Sequence, residues 1–163
     1  GLISDVPKTS SILEVGCNIG RNLNHLWSVG YHSLAGIEIS PHAVEQLRAA
    51  HPDLAAVPVH LGPAEEQMPH FSDAQFDLVF TMAVIEHIHP DSASLFGEMA
   101  RCGRSILAIE PRGNASHRQY PHDVPAIFRG LGMKLVSTVP MKDLPETAGD
   151  PAISKYVAWR FEH

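Results

Sequence analysis

A chain of 163 residues is long enough for one domain with a sizeable core, since a globular domain of that length removes roughly 70% of its unfolded-state surface from water. The net charge of −6, with 12 Lys and Arg scattered along the chain, lacks the basic footprint of a nucleic-acid binder and favours a small-molecule partner. Two cysteines exclude a disulfide framework, and no apolar run suits a signal peptide or a membrane span, so a soluble, cytoplasmic protein is expected.

The first apolar run, SILEV (11 to 15), predicts a strand, and Arg21 to Val29 predicts a helix with Leu23, Leu26 and Trp27 at helical spacing and a stop at Gly30. SLAGIEI (33 to 39) is a second strand. It is followed by a helix capped by Ser40, with Pro41 at its first position and Pro52 beyond its end. Strands are predicted again at AAVPVHL (55 to 61), FDLVFTM (76 to 82) and SILAIE (105 to 110), with a helix over Asp91 to Arg101 before the last. Near-continuous apolar strands alternating with helices imply a doubly wound α/β sheet, mostly parallel, whose binding crevice lies at the carboxyl ends of its strands. Pro111 to His122 is a long irregular stretch at that edge. Asp123 then caps a helix through Leu131, and MKLVSTVPM (133 to 141) and SKYVAWRF (154 to 161) both alternate, which predicts an antiparallel hairpin at one edge.

The loop after the first strand, GCNIGR, decides what the crevice holds. A dinucleotide fingerprint needs glycines at 16, 18 and 21, where the chain has Gly16, Asn18 and Arg21, and no Gly-Lys-Ser or Gly-Lys-Thr follows as a phosphate loop requires. A pyrophosphate is therefore a poor fit. The spacing that remains is an acid, Glu14, followed by Gly16, Asn18 and Gly20, with a second acid, Glu38, ending the second strand. Asn18 is compatible with the left-handed backbone that costs most residues about 1–2 kcal/mol.

With these features the sequence resembles the class I S-adenosylmethionine-dependent methyltransferases, small-molecule branch, from Ser11 to about His163. The resemblance implies a Rossmann-like seven-stranded sheet and S-adenosylmethionine as cofactor. Glu14, Gly16, Cys17, Asn18 and Gly20 match the loop under the cofactor's methionine end. Glu38 matches the acid that chelates the ribose hydroxyls, with Ile39 flanking the adenine. Thr81, Met82 and Ala83 match positions near the methionine end, and VIEHI (84 to 88) parallels the branch's VLEHI. Where the family reads Gly-Asp-Ala, this chain has Gly62, Pro63 and Ala64; proline cannot bond the adenine amino group, which leaves the backbone of Ala64 or Glu65, or the Glu65 side chain, for that contact. The layout is similar to the pseudaminic-acid-biosynthesis-associated methylase group, sharing ILEVGCNIG, GIEI, FDLVFT, a His-Ile-x-Pro and an Arg-Cys. The family usually carries a helix ahead of its first strand, where this sequence has ten residues before Ser11, so one domain over 1 to 163 without that cap helix is expected.

Methyl transfer is an in-line displacement at a sulfonium methyl, so the protein supplies positioning and exclusion of water, and a base where the acceptor loses a proton. Glu86, His87 and His122 are the candidate bases for a hydroxyl acceptor such as a sugar, with His89, His117 and Tyr120 on the same edge. A bland alternative stands beside each, as a packed turn for Glu86 and His87 and an exposed loop for His117 and His122. Cys17 is expected to fill space rather than react, and Trp27 and Phe96 to be core. No metal is assigned. A metal-dependent variant would use Glu86, His87 and His122, but Ala83 stands where its first ligand belongs. Two other readings remain at this level: a cofactor-binding module without turnover, and an RNA methyltransferase that borrows a basic surface. Nothing in the sequence fixes an oligomeric state.

Overall fold

The computed structural model describes residues 1–112, 119–147 and 150–163. One seven-stranded sheet carries the molecule, in the order β3-β2-β1-β4-β5-β7-β6. Its strands are β1 (Ile12–Val15), β2 (Leu34–Glu38), β3 (Val59–Leu61), β4 (Phe76–Met82), β5 (Gly103–Pro111), β6 (Lys134–Pro140) and β7 (Tyr156–Glu162). The first five run parallel, and β7 lies antiparallel between β5 and β6. The predicted hairpin thus forms, with its second strand on the inside and β6 as the edge.

The helices are α1 (Arg21–Ser28), α2 (Pro41–Ala50), α3 (Ala64–Gln67), α4 (Ser94–Cys102) and α5 (Val124–Gly130). They cover both faces of the sheet because β1 and β4 are buried on both sides. Ile12, Leu78 and Phe80 pack with Leu23 and Leu26 of α1 and Leu47 of α2; Leu13, Val15 and Val79 pack with Phe96 and Met99 of α4 and Phe128 of α5. Trp27 is only partly buried at the margin of the first cluster, whereas Phe96 is core. The caps act where the sequence puts them: the Ser40 hydroxyl accepts from the Ala43 N–H at 3.3 Å and the Asp123 carboxylate from the Ala126 N–H at 3.0 Å.

Three boundaries differ from expectation. The third strand is confined to Val59–Leu61, since Pro52–Leu54 forms a 3-10 turn and Pro58 delays the pairing. The helix expected from Asp91 begins at Ser94, because Pro90–Ser92 makes its own 3-10 turn. The four-residue α3, which has no hydrophobic repeat to announce it, starts at Ala64 with Pro63 as its N-cap.

Candidate functional site

The chain leaves β1 for α1 and β2 on one side of the sheet and returns through β4 on the other, so the carboxyl ends of β1 and β4 form a switch point where a crevice must open. A crevice of about 680 Å³ lies there, lined by Glu14, Gly16, Cys17, Asn18, Ile19, Arg21, Asn22, Glu38, Met82, Ala83, Val84 and His87.

Its floor is the loop after β1. Gly16 and Gly20 have φ of +74° and +77°, and Asn18 of +47°. The Gly16 and Cys17 N–H groups donate to the Ile37 carbonyl, which ties the loop to β2. A side chain at Gly16 would place its Cβ 2.6 Å from Val84 Cγ2, so glycine here lets the turn after β4 close on the loop. Cys17 is buried and lies against Gly36, where a Cβ would sit 2.7 Å from its Sγ; burial pushes its thiol up to about 12, so it is an inert filler.

Two acids face the crevice with different partners. Glu38, 8% exposed, accepts the Asn18 N–H on one oxygen at 2.7 Å and the Ser40 N–H on the other at 2.9 Å. A carboxylate has about four acceptor positions, so each oxygen keeps one for a ligand. Glu14 accepts from Asn22 Nδ2 at 2.7 Å on one oxygen, while its other oxygen is buried without a hydrogen-bond partner among the described residues. Burial, with the Glu38 charge adding to it, pushes the Glu14 carboxyl up to about 8.

The wall is the turn after β4. Ala83 has φ +57°, and Ile85–His87 is a 3-10 turn. His87 is half exposed, with Nε2 3.7 Å from Glu86 Oε1. Glu86 itself points into a second cavity of about 500 Å³ that shares no lining residue with the crevice and contains Glu110, Tyr120 and His122. There Gln119 Nε2 donates to Glu86 Oε2 and the Tyr120 N–H to the Glu86 carbonyl. His122 Nε2 meets the Ile88 carbonyl at 2.8 Å, so that nitrogen carries a proton, and its ring packs edge-on against Phe96. His89 Nδ1 accepts from the Asp91 N–H and its ring lies on Tyr120. His117 lies outside the described residues.

The fold therefore gathers Glu14, Gly16, Cys17, Asn18, Glu38, Met82, Ala83 and His87 around one space, and puts Glu86 and His122 in the neighbouring one. Gly20 sits behind the loop against Leu47, and Ile39 projects 66% exposed beside Glu38. Ala64 and Glu65 do not line the crevice; they form the first turn of α3, which explains a proline at 63, where a helix start tolerates it. Glu86, His87 and His122 do not come together as a metal set: among the described residues no group of three His, Cys, Asp or Glu side chains is arranged to hold an ion.

One buried acid escaped the sequence reading. Glu110, 3% exposed at the end of β5, accepts from the Thr81 hydroxyl at 2.9 Å and from the Val84 N–H at 3.1 Å. The available signal was an acid closing an apolar run in SILAIE, as Glu38 does in AGIEI.

Known proteins resemble this chain in sequence and in fold. The sequence profile of the family described as "Methyltransferase domain" matches residues 13–105. A chloroplastic protein of Oryza sativa subsp. japonica described as a probable tocopherol O-methyltransferase is 37% identical over 97 residues, covering 58% of this chain and 26% of its own length. The chloroplastic tocopherol O-methyltransferase of Arabidopsis thaliana is 34% identical over 118 residues, 67% of this chain and 32% of that protein. The chain thus spans about a quarter to a third of the curated relatives it matches. Among solved structures, an S-adenosylmethionine-dependent methyltransferase from Mesorhizobium loti superposes with a TM-score of 0.75 at 13% identity, covering 99% of this chain and 95% of that one. A TehB-like methyltransferase from Corynebacterium glutamicum gives 0.74 at 20% identity, covering 99% and 84%. These likenesses bear out the mostly parallel α/β sheet with its antiparallel edge hairpin.

A methyltransferase domain on this fold implies S-adenosylmethionine as cofactor, and the crevice fits it. A free acceptor position on each Glu38 oxygen suits a vicinal diol. The unpartnered Glu14 oxygen suits a cationic ligand, and the glycine loop leaves its backbone open to close approach. Among the described residues no helix is long and apolar enough to cross a membrane.

Proposed function

The chain belongs to the methyltransferase domain family, and on that premise we propose that it transfers a methyl group from S-adenosylmethionine to a hydroxyl of a small polar metabolite of sugar-like character. The observation that carries the reading is Glu38, a buried carboxylate fixed by two backbone N–H groups with a free acceptor position on each oxygen, opposite the glycine loop. In this reading Glu38 holds the ribose hydroxyls, Ile39 covers the adenine, and Glu14 with Gly16, Cys17, Asn18, Met82 and Ala83 surrounds the methionine end.

Oxygen as the acceptor atom draws support from two sides. The curated relatives are named as O-methyltransferases, and the order of motifs resembles the pseudaminic-acid-biosynthesis-associated group. The net charge of −6 supports a small acceptor over a nucleic acid. The cofactor supplies an electrophilic methyl; the chain's own residues orient the acceptor, exclude water and take up its proton. We assign the proton to His87, which lines the crevice, with Glu86 3.7 Å away to stabilise the imidazolium. The polar cavity that holds Glu86 and Tyr120 receives the body of the acceptor. His122, bonded to the Ile88 carbonyl, shapes that cavity.

Calorimetric titration with S-adenosylhomocysteine tests the assignment. The folded protein is expected to bind it, and Glu38→Ala to weaken binding by at least about 30-fold, the loss of two charge-assisted hydrogen bonds at about 1–1.5 kcal/mol each. Absence of binding at millimolar ligand would overturn the reading, and an unchanged affinity in the variant would displace the ribose from Glu38.

A further inference from the structure

We propose that Glu110 is a positioning residue for the cofactor crevice, acting through the turn after β4 without touching the ligand. The proposal rests on the reading of that crevice given above.

The turn is an unusual piece of backbone. It begins at Ala83, whose φ of +57° an alanine does not adopt without help, and it carries Ala83, Val84 and His87 into the crevice wall. Its first N–H groups have no helix of their own to satisfy, because the 3-10 turn at Ile85–His87 is three residues long. Glu110 supplies the missing acceptors from the neighbouring strand. One oxygen takes the Thr81 hydroxyl at 2.9 Å and the Val84 N–H lies 3.3 and 3.1 Å from the two oxygens, while the Ile85 and Glu86 N–H dipoles that follow in the turn favour the charged carboxylate. The strand register explains the reach: β4 and β5 are parallel with Met82 opposite Ile109, so Glu110 stands one residue past the end of β4, level with the turn. Val84 in turn occupies the space a side chain at Gly16 would need, so displacing it would move the wall against the glycine loop.

The brace is sensitive to protonation. Burial pushes the Glu110 carboxyl up to about 7, opposed by the hydrogen bonds it accepts. The groups around it are Glu86 from the turn, Tyr156 and Trp159 from β7, and Arg112, Lys155, His122 and Asp123 around the same cavity. Adding a proton removes acceptor capacity from one oxygen, so the turn is held more firmly above neutral pH than below it.

Hydrogen exchange of the ligand-free protein, corrected for intrinsic rates, tests the brace independently of any cofactor. Glu110→Ala is expected to speed exchange at residues 84–86 at least tenfold while leaving the amides of β1 protected. Wild-type protection there should rise between pH 6 and pH 8, and Glu110→Gln should remove that rise. Unchanged protection in Glu110→Ala, or loss spread equally through β1, overturns the proposal. Should Glu110→Ala not fold, Glu110→Gln decides: a persisting pH dependence at 84–86 overturns it, and a flat profile supports it. S-adenosylhomocysteine affinity should fall about tenfold in Glu110→Ala with exchange at 84–86 raised, and an unchanged affinity overturns the positioning role. A wild-type protein that binds no S-adenosylhomocysteine would refute the proposed function, while the exchange data would still judge the brace.

Discussion

Glu14 shows what a residue's surroundings do to its chemistry. Its side chain is buried beside a second acid, with one hydrogen bond from Asn22 and one oxygen unpartnered among the described residues. Its folded value of about 8 lies above the ordinary 4.5, so between the two the folded state keeps a proton that the unfolded chain has released. This contribution to stability is full below 4.5 and is lost as pH rises through 8, a change on the order of 5 kcal/mol for an isolated group. Thermal unfolding of the ligand-free protein should therefore show stability declining over that range. Glu14→Gln should flatten the slope and melt at a higher temperature than wild type at pH 8, with a residual slope from Glu110, whose carboxyl is displaced in the same direction. Equal slopes in the two proteins would place Glu14 in a wetter environment than the fold gives it. The presence of an acid at 14 was legible from its spacing to Gly16. Its protonation was not, because burial arises from β2 and β4 on either side of β1.

At the scale of elements, the join between loop and helix depends on Gly20. It is the N-cap of α1, has φ +77°, and packs against α2, where an added Cβ would lie 2.6 Å from Leu47 Cγ. Gly20→Ala combines a left-handed backbone with a clash against a fully buried leucine, and should cost about 2–4 kcal/mol. A urea midpoint within error of wild type would contradict that packing. The glycine itself was legible as part of a spacing pattern, yet its reason is only half local. The backbone conformation belongs to the turn, while the contact with Leu47 depends on how α1 and α2 lie on the same face. The same division explains α3. Two acids and a glutamine after a proline carry no apolar repeat, so nothing in the local pattern announced the helix that starts at Ala64.

Over the whole molecule, the carboxyl-terminal hairpin is part of the main core. β7 lies between β5 and β6, and Phe161, fully buried, stacks 5.0 Å from Phe128 of α5. Phe161→Ala should cost about 3–5 kcal/mol and shift a single cooperative transition; two separated transitions by circular dichroism would show the hairpin melting as its own unit. The alternation of SKYVAWRF predicted a strand and its pairing with MKLVSTVPM. The insertion of β7 beside β5, rather than β6, is decided by burial. β7 has four of its seven residues buried while β6 has none, so the more apolar strand takes the inner place.

By itself the sequence determined the alternation of strands and helices, the caps at Ser40 and Asp123, and a loop of acids and glycines that suits no pyrophosphate and resembles that of the S-adenosylmethionine-dependent methyltransferases. These are written in local patterns of apolar spacing and backbone demand, which neighbouring residues suffice to impose. Only the tertiary structure decided that His87 shares a space with Glu38 while Glu86 and His122 face another, and that Glu110 holds the turn between them. Those relations cross strands distant in sequence. They depend on register and burial, which a one-dimensional pattern does not contain.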